Sequence, residues 1–313
     1  MVAHNQINFN LRPSKRIERR LIADKLASIY RFDDPARYGY IGMGSVYFTD
    51  FALFHKLFGI NEMVSIEEHA PSIARCDFNK PYGCITVAEG TTNAVLPTLN
   101  LFNTNPVICW LDYYSYLTTS ILADIETFVR KAKIGSFLVI TLNSALLNAA
   151  EKIEDFFAGL PAEYSSKRYK KEVVSIAGLQ NVMLRIIESR LESTLADINI
   201  GATNSNKKQL LRMIDIAYKD NAQMITFGWI LANNKIKRAL RAEPSMVQNF
   251  MPKRIELHAP ALTFKEVNHL KALLPLSLTQ AEYEAKSKPV RPVDAHRFAE
   301  FYRFYPQFAD VEE

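Results

Sequence analysis

Between Tyr38 and Asn143, short apolar runs alternate with helical patterns, and no other feature narrows the choice of fold as much. Tyr38–Ile41, Asn61–Glu68, Cys84–Ala88, Val107–Asp112 and Gly135–Asn143 read as strands. The stretches from Phe48 to Phe58, Ala70 to Asp77 and Leu117 to Lys133 read as helices among them. Parallel strands need long crossovers, and a sheet covered by helices is buried on both faces. That is why Val107-Ile-Cys-Trp-Leu111 is continuously apolar instead of alternating. Two later runs, Gln209–Tyr218 and Gln223–Ala232, are joined only by Lys219–Ala222, which makes them a hairpin and therefore antiparallel. The expected fold class is α/β: a doubly wound, mostly parallel sheet closed by an antiparallel hairpin, with a helical insert and a small C-terminal extension. The main domain is expected over residues 1–242, with an N-terminal helix at 14–30 and the insert at about 144–208. Residues 243–313 form the extension.

The first strand runs into Gly42-Met-Gly44-Ser45, and a helix follows with Phe48, Phe51, Phe54 and Phe58 on one side. Strand, glycine turn and helix together let a backbone approach a nucleotide-like ligand. Glycines carry no Cβ to block the approach and tolerate positive φ, and a helix start offers unpaired N–H groups. Gly59 is placed to cap the helix end. The second strand finishes in Glu67-Glu68, about one helix and one strand beyond Gly44. A carboxylate at that position has two oxygens spaced to accept both hydroxyls of a ribose, and Glu67 is the preferred residue. Glu89 ends the third strand, where it can accept from an adenine amine across the crevice. Asp112, followed by Tyr113 and Tyr114, ends the fourth, where ligands collect in open parallel sheets.

In order and spacing, the segment from Tyr38 to Ala232 resembles the class I S-adenosylmethionine-dependent methyltransferase family. The resemblance implies that Gly42, Gly44 and Ser45 form the cofactor's glycine loop. It makes Glu67 the ribose acid, Glu89 the adenine-side acid and Asp112 the acidic position near the reactive methyl. S-adenosylmethionine is then the cofactor. Methyl transfer to an unidentified acceptor proceeds by in-line displacement, with Asp112 orienting acceptor or cofactor and Tyr113 and Tyr114 lining the acceptor pocket. One departure stands out: Tyr40 occupies the position, two residues before the first glycine, where the family commonly has an acid that helps hold the methionine amino end. Two alternatives stay open. A methyltransferase-like binding module without turnover would explain Tyr40, the insert and the tail. A nicotinamide-dependent dehydrogenase shares the opening, although Tyr47 stands where it wants a third small residue.

Net charge of +5 over 313 residues permits contact with polyanions without requiring it. The segment Lys167–Lys171, with Tyr164 and Tyr169 interleaved, and the cluster Lys235–Arg241 are the nucleic-acid candidates. The helix at Ser14–Tyr30 carries Arg16, Arg19, Arg20 and Lys25 on what reads as a solvated face. Proline and aromatic residues crowd the C-terminus (Phe298, Phe301, Tyr302, Phe304, Tyr305, Phe308), so this tail is expected to pack on the chain itself, on a protein partner or on a second copy. Three cysteines without a paired spacing, no apolar leader and no membrane-length run point to a cytoplasmic protein. Six scattered histidines give no metal spacing, so no metal is expected.

Overall fold

The computed structural model describes residues 13–203, 206–242, 252–275 and 277–306. The chain runs α1 (Pro13–Leu26), β1 (Gly39–Gly42), α2 (Thr49–Phe58), β2 (Glu62–Glu67), α3 (Ala70–Phe78) and β3 (Ile85–Glu89). Two short helices follow, α4 (Thr92–Val95) and α5 (Leu101–Thr104), then β4 (Val107–Asp112), α6 (Thr119–Lys131) and β5 (Phe137–Asn143). The insert contributes α7 (Ala150–Ala158), α8 (Lys167–Glu172) and α9 (Ile176–Ile198). The long hairpin β6 (Gln209–Lys219) and β7 (Gln223–Ala232) precedes α10 (Asn234–Arg241), β8 (Ile255–Leu257), α11 (Phe264–Lys271), α12 (Gln280–Lys286) and α13 (Pro292–Phe301).

All eight strands form one sheet in the order β3-β2-β1-β4-β5-β7-β6-β8. The first five strands are mutually parallel where they pair, and β7 is antiparallel to both β5 and β6. This is the expected sheet with its closing hairpin. Strand order reverses between β1 and β4, which opens a crevice beyond their carboxyl ends. Alternation along β4 explains the layering: Ile108 and Trp110 enter the core under α1 and α2, while Val107, Cys109 and Leu111 enter the core under α6 and α9.

The extension is not laid beside the sheet but built into it. Strand β8 pairs in parallel with β6, Ile216 opposite Ile255, and Leu257, Leu270, Tyr283 and Phe298 share a core with Tyr40 and Phe54. The aromatic tail packs internally within the described residues: Phe298, Phe301 and Tyr305 are buried, and the Tyr305 hydroxyl donates to the Pro260 carbonyl at 2.6 Å. Phe308 lies outside the described residues. The segment Lys167–Lys171, expected as a loop, is the short helix α8. Ser166 caps it, and Arg168 pairs with Glu172 at 3.1 Å while Lys170 pairs with Glu154. In the second basic cluster, Ile236 and Leu240 of α10 face inward and Lys237 donates to Gln209. No described helix is long and apolar enough to cross a membrane.

Helix α1 departs most from expectation. Its α-helical part stops at Leu26 and continues as a 3₁₀ turn over Ala27–Arg31. More important, Arg20 is exposed and Arg16 and Lys25 are half-buried, as a solvated face requires, but Arg19 is buried with Lys15 and Glu18 on the side of the helix that meets the sheet. The hairpin places it there. Asp220, in the β6–β7 turn, accepts hydrogen bonds from the backbone N–H groups of Ser14 and Lys15 at 3.3 and 3.1 Å, supplying the open helix start with acceptors from across the fold. Replacing Asp220 with alanine is expected to lower stability by about 1 kcal/mol, as loss of a helix cap does. Urea denaturation reads this directly, and an unchanged midpoint would show that the cap contributes nothing.

Candidate active site

The crevice beyond the strand ends is a cleft of about 430 Å³. Its walls include Met43 and Ser45 from the loop after β1, Glu67 at the end of β2 with Glu68 just after it, and Gly90 to Asn93 after β3. Asp112, Tyr113 and Tyr114 close it from β4. A smaller chamber of about 30 Å³ continues inward, sharing Met43, Ser45, Asp112 and Tyr114 and reaching Arg19, Gly44 and Asp50.

The glycines act differently from what the sequence implies. Positive φ falls on Ser45 (48°) and Phe48 (45°), not on Gly42 or Gly44. Gly42 is needed for space, because a Cβ there would sit 2.7 Å from the Tyr40 hydroxyl. On Gly44 it would sit 2.6 Å from the Phe48 ring. The loop is anchored by the Gly44 N–H, which donates to the buried Ser65 hydroxyl of β2 at 2.9 Å. Left-handed non-glycine residues are costly and concentrate at functional sites. The Ser45 hydroxyl is buried and has no hydrogen-bond partner among the described residues.

Glu67 lies at the end of β2, 8% exposed, and Glu68 beside it is exposed. One Glu67 oxygen accepts from the Cys76 thiol of α3 at 3.6 Å. Burial, with Glu67 alongside, pushes that thiol up to about 12, so it stays a donor at neutral pH. Glu89 pairs in register with Glu67 but is exposed and does not line the cleft, because β3 is the edge of the sheet among the described residues. In its place Gly90, Thr91, Thr92 and Asn93 form that wall, with the Gly90 N–H donating to the Glu67 carbonyl at 3.0 Å.

Asp112 is partly exposed to the cleft, and its Oδ2 lies 2.7 Å from the Lys15 ammonium. Lys15 also contacts Glu18 at 2.9 Å, donates to the Tyr218 hydroxyl at 3.1 Å and sits 5.0 Å above the Trp110 ring. Glu18 is fully buried and accepts from Thr226, which is linked through Thr141 to the Trp110 indole N–H. Burial holds the Glu18 carboxyl above its ordinary range, against the pull of Lys15. The fourth-strand acid is thus tied through Lys15 to α1. Tyr113 is held otherwise: its hydroxyl donates to Asp124 of α6 at 2.7 Å, an acid that also accepts from Thr92 and Asn93. Burial first, then Asp124, pushes the Tyr113 phenol well above its ordinary value.

Tyr40 is completely buried beneath Gly42, and its hydroxyl donates to Asp50 on α2. The tyrosine at the usual acidic position therefore carries an acid on its tip, supplied from ten residues further along. Sequence reading missed Lys15, Glu18, Arg19, Asp50 and Asp124. The only signal was in α1, where Lys15, Glu18, Arg19, Ile22 and Leu26 follow helical spacing and form one mixed face.

No curated protein matches the chain. Among solved structures, the O-methyltransferase TomG from Streptomyces achromogenes, in complex with SAM, is similar at a TM-score of 0.41 and 15% identity, covering 69% of this chain and 80% of TomG. Human N-acetylserotonin methyltransferase, also in complex with SAM, gives 0.34 and 11%, covering 70% and 56%. Likenesses this distant carry no weight for the chemistry. A family model described as "Putative O-methyltransferase" matches residues 7–313. The match runs through the glycine loop, the acids that end β2 and β4 and the closing hairpin, and the chain belongs to this methyltransferase family.

Proposed function

We propose that the chain transfers the methyl group of S-adenosylmethionine to an oxygen of its acceptor. The observation that carries this reading is one cleft at the strand-order reversal that brings together the glycine loop, the Glu67 carboxylate and Asp112. The residues fit the cofactor on two counts. The hydroxyl of Ser45 is buried without a partner, and Glu67 presents a buried carboxylate of which the Cys76 thiol takes one oxygen. When bound, the cofactor supplies a methyl group on a sulfonium sulfur that leaves as a neutral thioether.

The chain's own residues do the holding. Glu67 accepts the ribose hydroxyls, and the Gly90–Asn93 wall faces the adenine in place of Glu89. The loop carrying Gly44 and Ser45 covers the inner part, with Gly42 beneath it. Asp112 orients the acceptor oxygen and takes its proton, and Lys15 holds that carboxylate in place from α1. Tyr113 is a positioning residue: with its phenol committed to Asp124, it fixes the wall and is no base. The Tyr113→Phe variant is therefore expected to keep turnover within roughly threefold and to leave the pH–rate profile unmoved, whereas Asp112→Asn lowers turnover on the order of a hundredfold. A pH limb that vanishes in Tyr113→Phe would reverse the two roles.

The dehydrogenase alternative loses its ground with the family match and the antiparallel β5-β7-β6 edge. The binding-module alternative rested on Tyr40, the insert and the tail; the Tyr40 hydroxyl donates to Asp50 and the described part of the tail packs on the chain itself, which leaves turnover to separate the two readings. The decisive experiment supplies S-adenosylmethionine with a panel of phenols, alcohols, carboxylic acids and amines and measures S-adenosylhomocysteine. Product formed with an oxygen acceptor supports the reading. Turnover with amines alone, or binding without turnover, overturns it.

A further inference from the structure

We propose that a second cavity, on the outer side of α1, is a binding site for a nucleotide-type ligand, one that joins phosphate groups to a flat ring. The cavity measures about 640 Å³, larger than the cleft and within the range that small-molecule sites occupy. No residue lining it also lines the cleft or the inner chamber. Helix α1 divides its side chains between the two places. Arg16, Arg20 and Asp24 line the outer cavity, while Lys15 holds Asp112 and Arg19 reaches the chamber.

Three arginines set the charge. Arg16 and Arg20 lie one turn apart on α1, and Arg303 arrives from the turn after α13. None of these guanidinium groups makes a hydrogen bond or ion pair among the described residues. Asp24, the one acid among the described lining residues, is exposed and pairs with none of them. Three positive charges against one negative leave the lining at +2. Like charges at this helical spacing destabilise the helix that carries them. Burial first, then the charges of Arg20 and Arg19, lowers the Arg16 guanidinium from its ordinary value. An anion in the cavity offsets the repulsion among these arginines. A carboxylate has two oxygens, which a single guanidinium fork takes up. A phosphate has three terminal oxygens and nearly two charges, so it suits several arginines at once.

The remaining wall is aromatic. Tyr30 is 60% exposed, and its hydroxyl reaches the Leu57 carbonyl across the cavity at 3.5 Å. Phe304 is half-buried, with the Arg303 guanidinium 6.0 Å from its ring centroid. Aromatic faces beside arginines stack a base while the cations hold its phosphates. An inorganic polyanion would leave these rings unused, and an uncharged ring would leave the arginines so.

Calorimetric titration of the full-length protein with uridine 5′-diphosphate, pyrophosphate and uridine separates the two parts of the ligand. A uridine series is used because the cleft is assigned to an adenosine. We expect uridine diphosphate to bind roughly tenfold more tightly than either part alone. Arg20→Ala and Arg303→Ala change exposed residues on separate elements. Each is expected to weaken uridine diphosphate roughly tenfold without lowering the thermal midpoint of the unliganded protein. Glu67→Ala, in the cleft, is expected to leave this affinity unchanged. Pyrophosphate binding as tightly as uridine diphosphate overturns the proposal, because the rings would then contribute nothing. Binding that survives both arginine variants and falls in Glu67→Ala overturns it by placing the ligand in the cleft. No detectable binding overturns it too; that result is expected if the chain's own Asp310, Glu312 and Glu313, outside the described residues, fill the cavity. The proposed methyl transfer stands or falls separately, on S-adenosylhomocysteine production.

Discussion

Glu67→Ala is expected to weaken S-adenosylhomocysteine binding roughly a hundredfold while leaving the thermal unfolding midpoint of the unliganded protein nearly unchanged. The magnitude follows from the bond type. A carboxylate accepting two hydroxyls makes two charge-assisted hydrogen bonds, each worth about 1.5–3 kcal/mol when made in a water-poor site. Discounting for the water displaced leaves on the order of 3 kcal/mol, or two powers of ten in Kd. The small effect on stability has a separate cause. Within the described residues, Glu67 gives its side chain only the 3.6 Å contact with the Cys76 thiol, a weak bond. Cys76 is itself apolar enough to tolerate loss of that acceptor. Glu67→Gln keeps one acceptor oxygen and is expected to fall between the two. Calorimetric titration measures the affinity. If Glu67→Ala stayed within about threefold of wild type, the ribose would have to be held elsewhere in the cleft.

The contrast between Glu67 and Glu89 shows how far sequence reading reaches into such a site. Both end a strand, both follow an apolar run, and they sit directly opposite one another in the sheet. What separates them is coverage. Glu67 lies on an inner strand with Cys76 of α3 against its side chain, whereas β3 is the edge of the sheet among the described residues and Glu89 is exposed. Strand periodicity carries the first kind of information and none of the second. The same limit hid α1. The run Lys15-Arg-Ile-Glu-Arg-Arg20 has the composition of a solvated face, yet Lys15, Glu18 and Arg19 within it are buried where the helix start meets Asp220, more than two hundred positions away. The sheet itself was legible because its signal is local and redundant: continuous apolar strands, Gly59 capping α2 in the left-handed region, and a hairpin too short to be anything else. The seven strands from β1 to β7 were therefore readable as a sheet with its hairpin. The pairing of the three-residue β8 with β6 was not, since a segment that short has no periodicity to read.

The Lys15 cluster supports the second large prediction. Lys15→Ala is expected to cost about 3–5 kcal/mol at neutral pH, the usual penalty for removing one partner of a buried ion pair. Glu18, 0% exposed, would be left with the Thr226 hydroxyl and no cation, and Asp112 would lose the contact that ties the cleft to α1. The sign of the pH dependence is fixed by Glu18. Its folded-state carboxyl already titrates above its ordinary value because of burial, and the Lys15 charge opposes that shift. Without Lys15 the shift grows, so the folded variant holds a proton over a pH range where the unfolded chain has released it. Stability of the variant relative to wild type is then highest at acid pH, where Glu18 is neutral. It declines as pH rises from the ordinary glutamate value through the raised one, and levels off above that. Chemical denaturation at a series of pH values measures the difference. The double variant Lys15→Met/Glu18→Leu removes both charges at similar volume and is expected to recover more than half of the loss, since apolar replacement of a buried pair is often neutral. Its methyl transfer should nevertheless stay low, because Asp112 would still lack its cation. A double variant as unstable as Lys15→Ala would show that the stranded Glu18 charge is not what costs the stability. One that regained full turnover would show that α1 holds Asp112 by packing alone.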